Sequence, residues 1–580
     1  TYYAHASSPN LYVHTLLLKE GDHALEPLVF KGLPSDVDFT TVSTGDPSVS
    51  CMSGPVSLPE KSPPNATSPP ESFVSICHSV LPERVKVPPG GTFEATYAYA
   101  VSTSASPVPV SLCSSLLSSA LSSPSALRSQ HEDTWSALGK PSITTSNETL
   151  NELIKGTLTS LRSTMHPDHP YPPSPGGTST NGYFGLFFWD SDLWIASSLL
   201  LLNPSLSLQS SLYRVSRISS SLSRASSLGH LGCMVPWQSG GSGHDLSLAP
   251  FANEPEQHVT SAAILLIENL ESVGVDVPGA KELVLCAADF WSGRMDGEGG
   301  IEGVVGPDEF GTGGVGKREG GGVAYKGVKD NPYTNVGARR VLEYAYRLTG
   351  EPKYKEKAEL VRVLYDEGGD YHPQYVDFPD HQIRTSGGDV KQADVTMMAW
   401  PWDYDYETDE TLRNDLDYYS NRYASGGPGM TESITCVGNL RAGSFPLARE
   451  AFNRQLKFAQ PQFGIWTETE DPAVHKSDMG CYNFMTGAGG FIQSIVHGYG
   501  GIRIARGRVE VTMKLDGEVF DGLALENFVF RGNTFTARGT ESGGDLELEL
   551  TSSTYIAIQC FNNRPLFVCP TFRCTLFNGC

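Results

Sequence analysis

The sequence predicts a mainly α protein in which a long helical block is framed by two β regions. Three observations predict it. Residues 1 to about 110 hold runs rich in Val, Phe, Thr and Tyr punctuated by Pro and Gly, such as Ser72–Leu81 and Arg84–Ser102, and these read as strands. From about residue 147 the apolar residues take helical spacing, and after Gly501 they return to a period of two. A β, then α, then β order implies segregated domains rather than βαβ alternation.

Within the first region, Ser53–Pro70 is rich in Pro and Ser and reads as a loop. The helical signal opens with Leu150, Leu153, Ile154, Leu158 and Leu161 on one face, behind an N-cap at Ser146 or Asn147. Val336–Leu348 and Lys353–Leu364 form a pair joined by a Thr-Gly-Glu turn. Further helical segments are expected over 192–202, 205–228, 257–273, 279–293, 430–442, 446–459 and 484–497. About a dozen helices in series close most simply as a ring of hairpins, although an open solenoid reads much the same. No 30–45-residue repeat favours the solenoid. The run Asp403–Asp417 holds seven acids against one Arg and reads as a solvated face. Past Gly501, Val509, Val511, Met513 and Leu515 alternate with polar residues, as do Leu546, Leu548 and Leu550.

Composition narrows the partners. Among 580 residues, acids outnumber bases 65 to 42, a net charge of −23, which repels phosphate backbones and anionic lipid. The longest nearly apolar stretch, Leu193–Leu202, is half of the roughly 20 residues a spanning helix needs. Neither nucleic acid nor a membrane is therefore an expected partner. The chain begins at Thr1 rather than Met, so a truncated or processed form is expected, and compartment and oligomeric state stay open. Eleven cysteines include no CxxC pair, against a zinc or thioredoxin-type module. Two sequons occur, at Asn65 and Asn147.

Four segments could carry chemistry. Gly306-Pro307 fixes a turn that delivers Asp308 and Glu309 from a rigid loop beside Phe310, which suits a general acid or, equally, a solvent turn. Gly464-Ile465-Trp466-Thr467-Glu468 is a second acid beside an indole. Phe187-Phe188-Trp189-Asp190-Ser191-Asp192-Leu193-Trp194 sets aromatic faces around two acids, as a sugar site requires, or as a buried helix start would. Lys391-Gln392-Ala393-Asp394 offers donors and an acceptor to hydroxyls, or opens an ordinary helix. No GxSxG, HExxH or P-loop pattern occurs, so serine, zinc and phosphoryl chemistry lack a carrier. His258 and His497 read as structural or outer-lying residues.

In this order the segments resemble glycoside hydrolase family 65. The resemblance runs from about 181 to 505 through FFWDSDLW, PWQS (236–239), NEPEQH (253–258), FWSGR (290–294), GPDEF, NPYTN (331–335), KQADV and FGIWTE, to NFMTGAGGFIQSIVHGYGGIR. It implies an (α/α)6 barrel over 131–500, an N-terminal β-sandwich over 1–130 cut short, and a small C-terminal β region over 501–558. The Cys-containing tail 559–580 is expected to lack order. By the same resemblance Glu309 is the general acid, and Trp189, Asp190, Lys391 and Gln392 hold the nonreducing glucose, with Asp192 and Trp237 as further sugar contacts. No metal or organic cofactor is implied.

Family phosphorylases carry a His-Gly-Ser-Ser loop. Here the comparable stretch is Gly427-Pro428-Gly429-Met430-Thr431-Glu432-Ser433, which resembles the hydrolases instead. Those add a glutamate in a Trp-Thr-Glu context as general base, matched by Glu468. The implied reaction is inverting hydrolysis of an α-glucoside, with glucosylgalactosyl-hydroxylysine, kojibiose or trehalose as substrate. A phosphorylase and an inactive sugar-binding relic are the alternatives. The chain departs from the family at Gln238 (usually Glu), Phe310 (usually Tyr) and Glu432 (usually aromatic), and Glu432 is the second choice for the base.

Overall fold

The computed structural model describes residues 2–4, 11–24, 37, 39–44, 46–55, 73–82, 84–104, 110–177, 183–247, 254–313, 315–317, 323–378, 390–424, 426–460, 464–470, 480–505, 508–540, 546–551, 556–559, 565–568 and 572–576. They fall into two compact units, Thr1–Gly139 and Lys140–Cys580.

In the first unit, strands β1 (Tyr2–Ala4), β2 (Leu11–Ala24), β3 (Thr40–Val42), β4 (Val49–Pro55), β5 (Phe73–Ser79) and β6 (Arg84–Ser104) form one sheet in the order β1-β2-β6-β5-β4-β3. Alternate residues Leu11, Val13, Ala98 and Ala100 face a core closed by Cys113 and Leu117 of α1 (Ser111–Ser122). Cys51 and Cys77, cross-strand partners in that core, form a disulfide. The described residues thus build one sheet backed by a helix, where the sequence predicts a sandwich to residue 130. The difference lies in 111–138, which is α1 and α2 (Pro124–Leu138). Serine-rich helices such as these have weak intrinsic propensity, and burial of Cys113, Leu117 and Leu127 decides them.

The second unit is mainly helical. It comprises β7 (Ser142–Thr145), then α3 (Glu148–Ser163), α4 (Pro204–Ser216), α5 (Ile218–Ser227), α6 (Val259–Ser272), α7 (Ala280–Arg294), α8 (Pro332–Thr349), α9 (Pro352–Leu360), α10 (Asp409–Ser420), α11 (Thr431–Arg441), α12 (Phe445–Gln455) and α13 (Met485–Gln493). Successive helices pack on one another: α7 on α8, α8 on α9, α11 on α12. Asn147, one of the two expected caps of α3, accepts from the Leu150 amide at 3.2 Å. In α8, Asn331 caps the start, Pro332 fills the first turn, and Gly350 ends it at φ 71°. Helices α6 and α13 are buried almost all round, so they are central, whereas α3 buries one stripe.

Two sequence expectations shift. The segment expected as helix 192–202 is instead a wide π turn over Ser191–Ala196, where the Ser197 and Ser198 hydroxyls bond the Asp192 and Ile195 carbonyls. The acidic run is half helix. Asp409 and Glu410 occupy the first turn of α10 behind Thr408, whose Oγ1 accepts from the Thr411 amide at 3.0 Å.

After β8 (Glu302–Val304), β9 (Val315–Lys317), β10 (Val323–Tyr325), β11 (Val328–Lys329), β12 (Ala459–Gln460) and β13 (Ile465–Trp466), the chain ends in two sheets. One, in the order β14-β15-β19-β20, joins Ile502–Ala505, Arg508–Val511, Ile556–Gln559 and Pro565–Val568. The other, β21-β18-β17-β16-β7, joins Phe572–Leu576, Leu546–Thr551, Asn533–Thr540 and Gly522–Phe530 to the strand before the helices. Strands β20 and β21 lie in the segment 559–580 that the sequence reads as an unordered tail. Their backbone bonds to distant strands are invisible to local pattern.

Candidate active site

The acid loop is anchored from three sides. Its approach strand β8 pairs with β11, and the Val305 amide bonds the Pro255 carbonyl at 2.9 Å. Gly306 must be glycine, since a Cβ there would lie 2.4 Å from Asp394 Oδ2 and 2.6 Å from Asn331 Nδ2. Asp394 in turn accepts from Asn331 Nδ2 at 2.9 Å, Gln374 Nε2 at 3.2 Å and the Asp308 amide at 3.2 Å. The Lys391 amide donates to Asp308 Oδ1, and Gln392 Nε2 donates to the Pro307 carbonyl. These bonds hold Glu309 at φ 59°, a left-handed conformation that costs a non-glycine residue about 1–3 kcal/mol and clusters at functional sites.

Glu309 is half-buried, and its Oε2 accepts from Lys391 Nζ at 2.5 Å. Burial alone would lower the Lys391 ammonium, but the charge and hydrogen bond of Glu309 outweigh it and the net shift is upward.

The second glutamate is fixed from β13. Trp466 is fully buried, its indole donating to Thr157 Oγ1 at 2.9 Å, and the Glu468 amide donates to the Cys481 carbonyl at 3.0 Å. Both carboxylate oxygens have partners: Oε1 accepts from the Tyr183 hydroxyl at 2.8 Å and Oε2 from the Cys481 amide at 2.9 Å. Burial raises Glu468, and these two donors oppose the rise. Tyr183 is itself wedged between Phe188 and Phe484, ring centroids 5.2 and 6.3 Å away.

A further set of acids surrounds the pair. Asp190 accepts from Thr486 Oγ1 at 2.7 Å and is pushed up to about 7, chiefly by burial and also by the charges of Glu468 and Glu309. Asp308 is likewise raised to about 7 by burial and then by Asp394, itself raised to about 6 by burial. Glu256 is fully buried and raised well above the carboxylate range by burial, with Glu309 the next cause. Its Oε2 stands 2.6 Å from His258 Nε2 without the alignment of a hydrogen bond, and burial lowers His258 to about 3. The pair is therefore neutral at pH 7. The His258 ring packs edge-on to Trp189 at 5.0 Å and Tyr333 at 5.5 Å, so it lies behind Trp189, an outer position as expected.

The predicted residues thus divide. Glu309, Glu468, Asp190 and Lys391 are brought into one electrostatic neighbourhood. Trp189, 3% exposed, forms a wall with Trp194, His258 and Tyr333. Trp237 stands edge-on to Phe188 at 4.9 Å, and Gln238 beside it is buried. Gln392 clasps the acid loop. Asp192 is placed differently from the sequence expectation of a sugar contact. It is fully buried and its Oδ2 is gripped by Arg214 at 2.7 and 3.1 Å, so it anchors the frame behind the site. Glu432 is taken by Arg454 at 2.8 and 2.9 Å, which leaves Glu468 as the acid opposite to Glu309 in role. Sequence reasoning missed Tyr183, Glu256, Asp308 as a loop anchor, and Thr486. Only the NEPEQH segment carried a hint, in an acid two residues before a histidine.

Paired glutamates on rigid loops within an aromatic, acid-lined cleft define the chain as a protein of the glycoside-processing class. Residues 161–367 match the family model for the glycosyl hydrolase family 65 central catalytic domain. The chain belongs to glycoside hydrolase family 65. It is 28% identical to protein-glucosylgalactosylhydroxylysine glucosidase of Dictyostelium discoideum, over 74% of this chain and 60% of that protein. It is 28% identical to kojibiose hydrolase of Mucilaginibacter mallensis, over 64% of this chain and 54% of that one. The chain spans three-fifths or less of the length of these relatives. Among solved structures, a putative kojibiose phosphorylase from the human microbiome superposes with a TM-score of 0.78 at 14% identity, over 99% of this chain and 83% of the other, a likeness of fold.

Proposed function

We propose that this chain is an inverting α-glucosidase whose helices close as an (α/α)6 barrel. Glu309 protonates the glycosidic oxygen while Glu468 takes a proton from the attacking water, and β-glucose leaves an α-linkage through an oxocarbenium-like transition state. One observation carries the reading: two glutamates from separate loops share a neighbourhood, one held by an ammonium and the other by a phenol and an amide. Those donors at Glu468 favour the ionised form a base needs. Asp190, Lys391, Trp189 and Trp237 bind the nonreducing glucose.

Glucosylgalactosyl-hydroxylysine is the first candidate substrate, with kojibiose and trehalose next, in keeping with the names of the relatives. Hydrolysis is favoured over phosphorolysis because Gly427–Ser433 has no His-Gly-Ser-Ser loop. The Cys51–Cys77 and Cys233–Cys286 disulfides support an oxidising compartment.

Incubating the protein with the three substrates, with and without phosphate, and identifying products by NMR tests the reading. Free glucose without phosphate is expected, and Glu309→Gln abolishes its release. Glucose 1-phosphate would make the chain a phosphorylase. Binding without turnover would make it a sugar-binding relic.

A further inference from the structure

The ammonium assigned to the sugar is not idle before sugar arrives. Lys391 Nζ sits 2.5 Å from Glu309 Oε2, with side-chain exposures of 32% and 16%, so the pair is reachable by a ligand and by solvent. An ammonium at that distance favours the carboxylate, whereas a general acid must carry a proton. The same lysine therefore cannot hold Glu309 and serve the sugar at once.

We infer that glucose binding is coupled to proton uptake at Glu309: sugar hydroxyls take over Lys391, and the carboxylate left behind accepts a proton from solvent. This rests on the glucosidase reading above. What Glu309 then faces makes the direction clear. From its own loop it faces Asp308, from the Pro255–His258 segment Glu256, from the Trp189–Asp192 segment Asp190, and from β13 Glu468 with its partner Tyr183. The charged groups among these are acids, and with Lys391 withdrawn each ionised neighbour favours a neutral Glu309.

The proton accounts balance over the cycle. Solvent supplies one proton to Glu309, which passes it to the departing oxygen as the glycosidic bond breaks. Water loses a proton to Glu468 as its oxygen bonds the anomeric carbon, and Glu468 returns that proton to solvent. Glu309, a carboxylate once more, competes for Lys391 and loosens the grip on glucose, so the chemistry promotes release of its own product.

Titration calorimetry of D-glucose, the group common to all candidate substrates, tests this without turnover. Wild-type protein is titrated at pH 7 in two buffers of very different ionisation enthalpy. The observed heats should differ, corresponding to uptake of about 0.5–1 proton per glucose bound. Glu309→Gln should bind glucose about two- to fivefold more tightly, with the buffer dependence gone, because nothing competes for Lys391. Lys391→Met should lose both affinity and buffer dependence. Saturable binding with equal heats in both buffers overturns the inference and leaves the glucosidase reading standing, as does a buffer difference undiminished in Glu309→Gln. Absence of saturable glucose binding overturns both.

Discussion

Tyr183 shows how one hydroxyl sets the working range of the proposed base. Its donation to Glu468 Oε1 stabilises the carboxylate against burial. Glu468 must be ionised to accept a proton, so kcat/KM falls as pH drops below its raised value. Tyr183→Phe removes a donor to the charged form, and the acidic limb of the pH profile should move up by about one unit. An unchanged acidic limb would detach Tyr183 from the base. Asp192 makes the opposite point. Its two bonds to Arg214 are fully buried, and removing one partner of such a pair typically costs about 3–5 kcal/mol. Asp192→Ala should therefore lower the denaturation midpoint while KM for glucosides barely moves. A large KM effect with unchanged stability would return Asp192 to the sugar. At this scale the sequence separated poorly: Asp190 and Asp192 are two residues apart in an aromatic run, and only the turn of the π helix sends one forward and the other to Arg214.

The acid loop is the element on which the account depends. Backbone strain at Glu309 is held by Asp308, Lys391, Gln392 and Asp394, and these contacts require Gly306 to have no side chain. Gly306→Ala should displace the loop from Asp394 and lower kcat about 100-fold while the protein remains folded by circular dichroism. Retained kcat would mean the loop tolerates movement the proposed chemistry does not. Elements with strong periodicity were legible beforehand: α3 with its Asn147 cap, α8 with Asn331, Pro332 and Gly350. Those decided by long-range burial or competing hydroxyls were not. The serine-rich α1, the π turn over Ser191–Ala196 and the acid-led α10 all carry local signals that point away from regular helix. The Lys-Gln pair was legible as a donor set, but its clasp on the Gly306–Glu309 loop needs a contact across more than 80 residues.

Over the whole molecule, a strand from before the helices closes a sheet made after them. Strand β7 pairs with β16 from Leu523↔Thr145 to Glu526↔Ser142, which ties the two ends of the second unit. The β-α-β order was readable from the change of period, but this closure was not, because pairing partners lie nearly 400 residues apart. The Cys233–Cys286 bridge adds a second restraint, spanning 53 residues. Loop entropy of that length corresponds to about 4 kcal/mol, so Cys233→Ala with Cys286→Ala should lower the chemical denaturation midpoint measurably. No change in the midpoint would mean the bridge leaves the unfolded chain unrestrained. The net charge of −23 finds partial use, since several of its carboxylates form the cleft around one lysine, while others cap α10 or face solvent.

The most direct test of the central claim is the anomeric form of the first glucose released. Proton NMR in the opening seconds of hydrolysis, before mutarotation, should show β-glucose from an α-linked substrate, and azide should restore turnover to Glu468→Ala by giving β-glucosyl azide. Initial release of α-glucose would contradict the inverting roles assigned to Glu309 and Glu468.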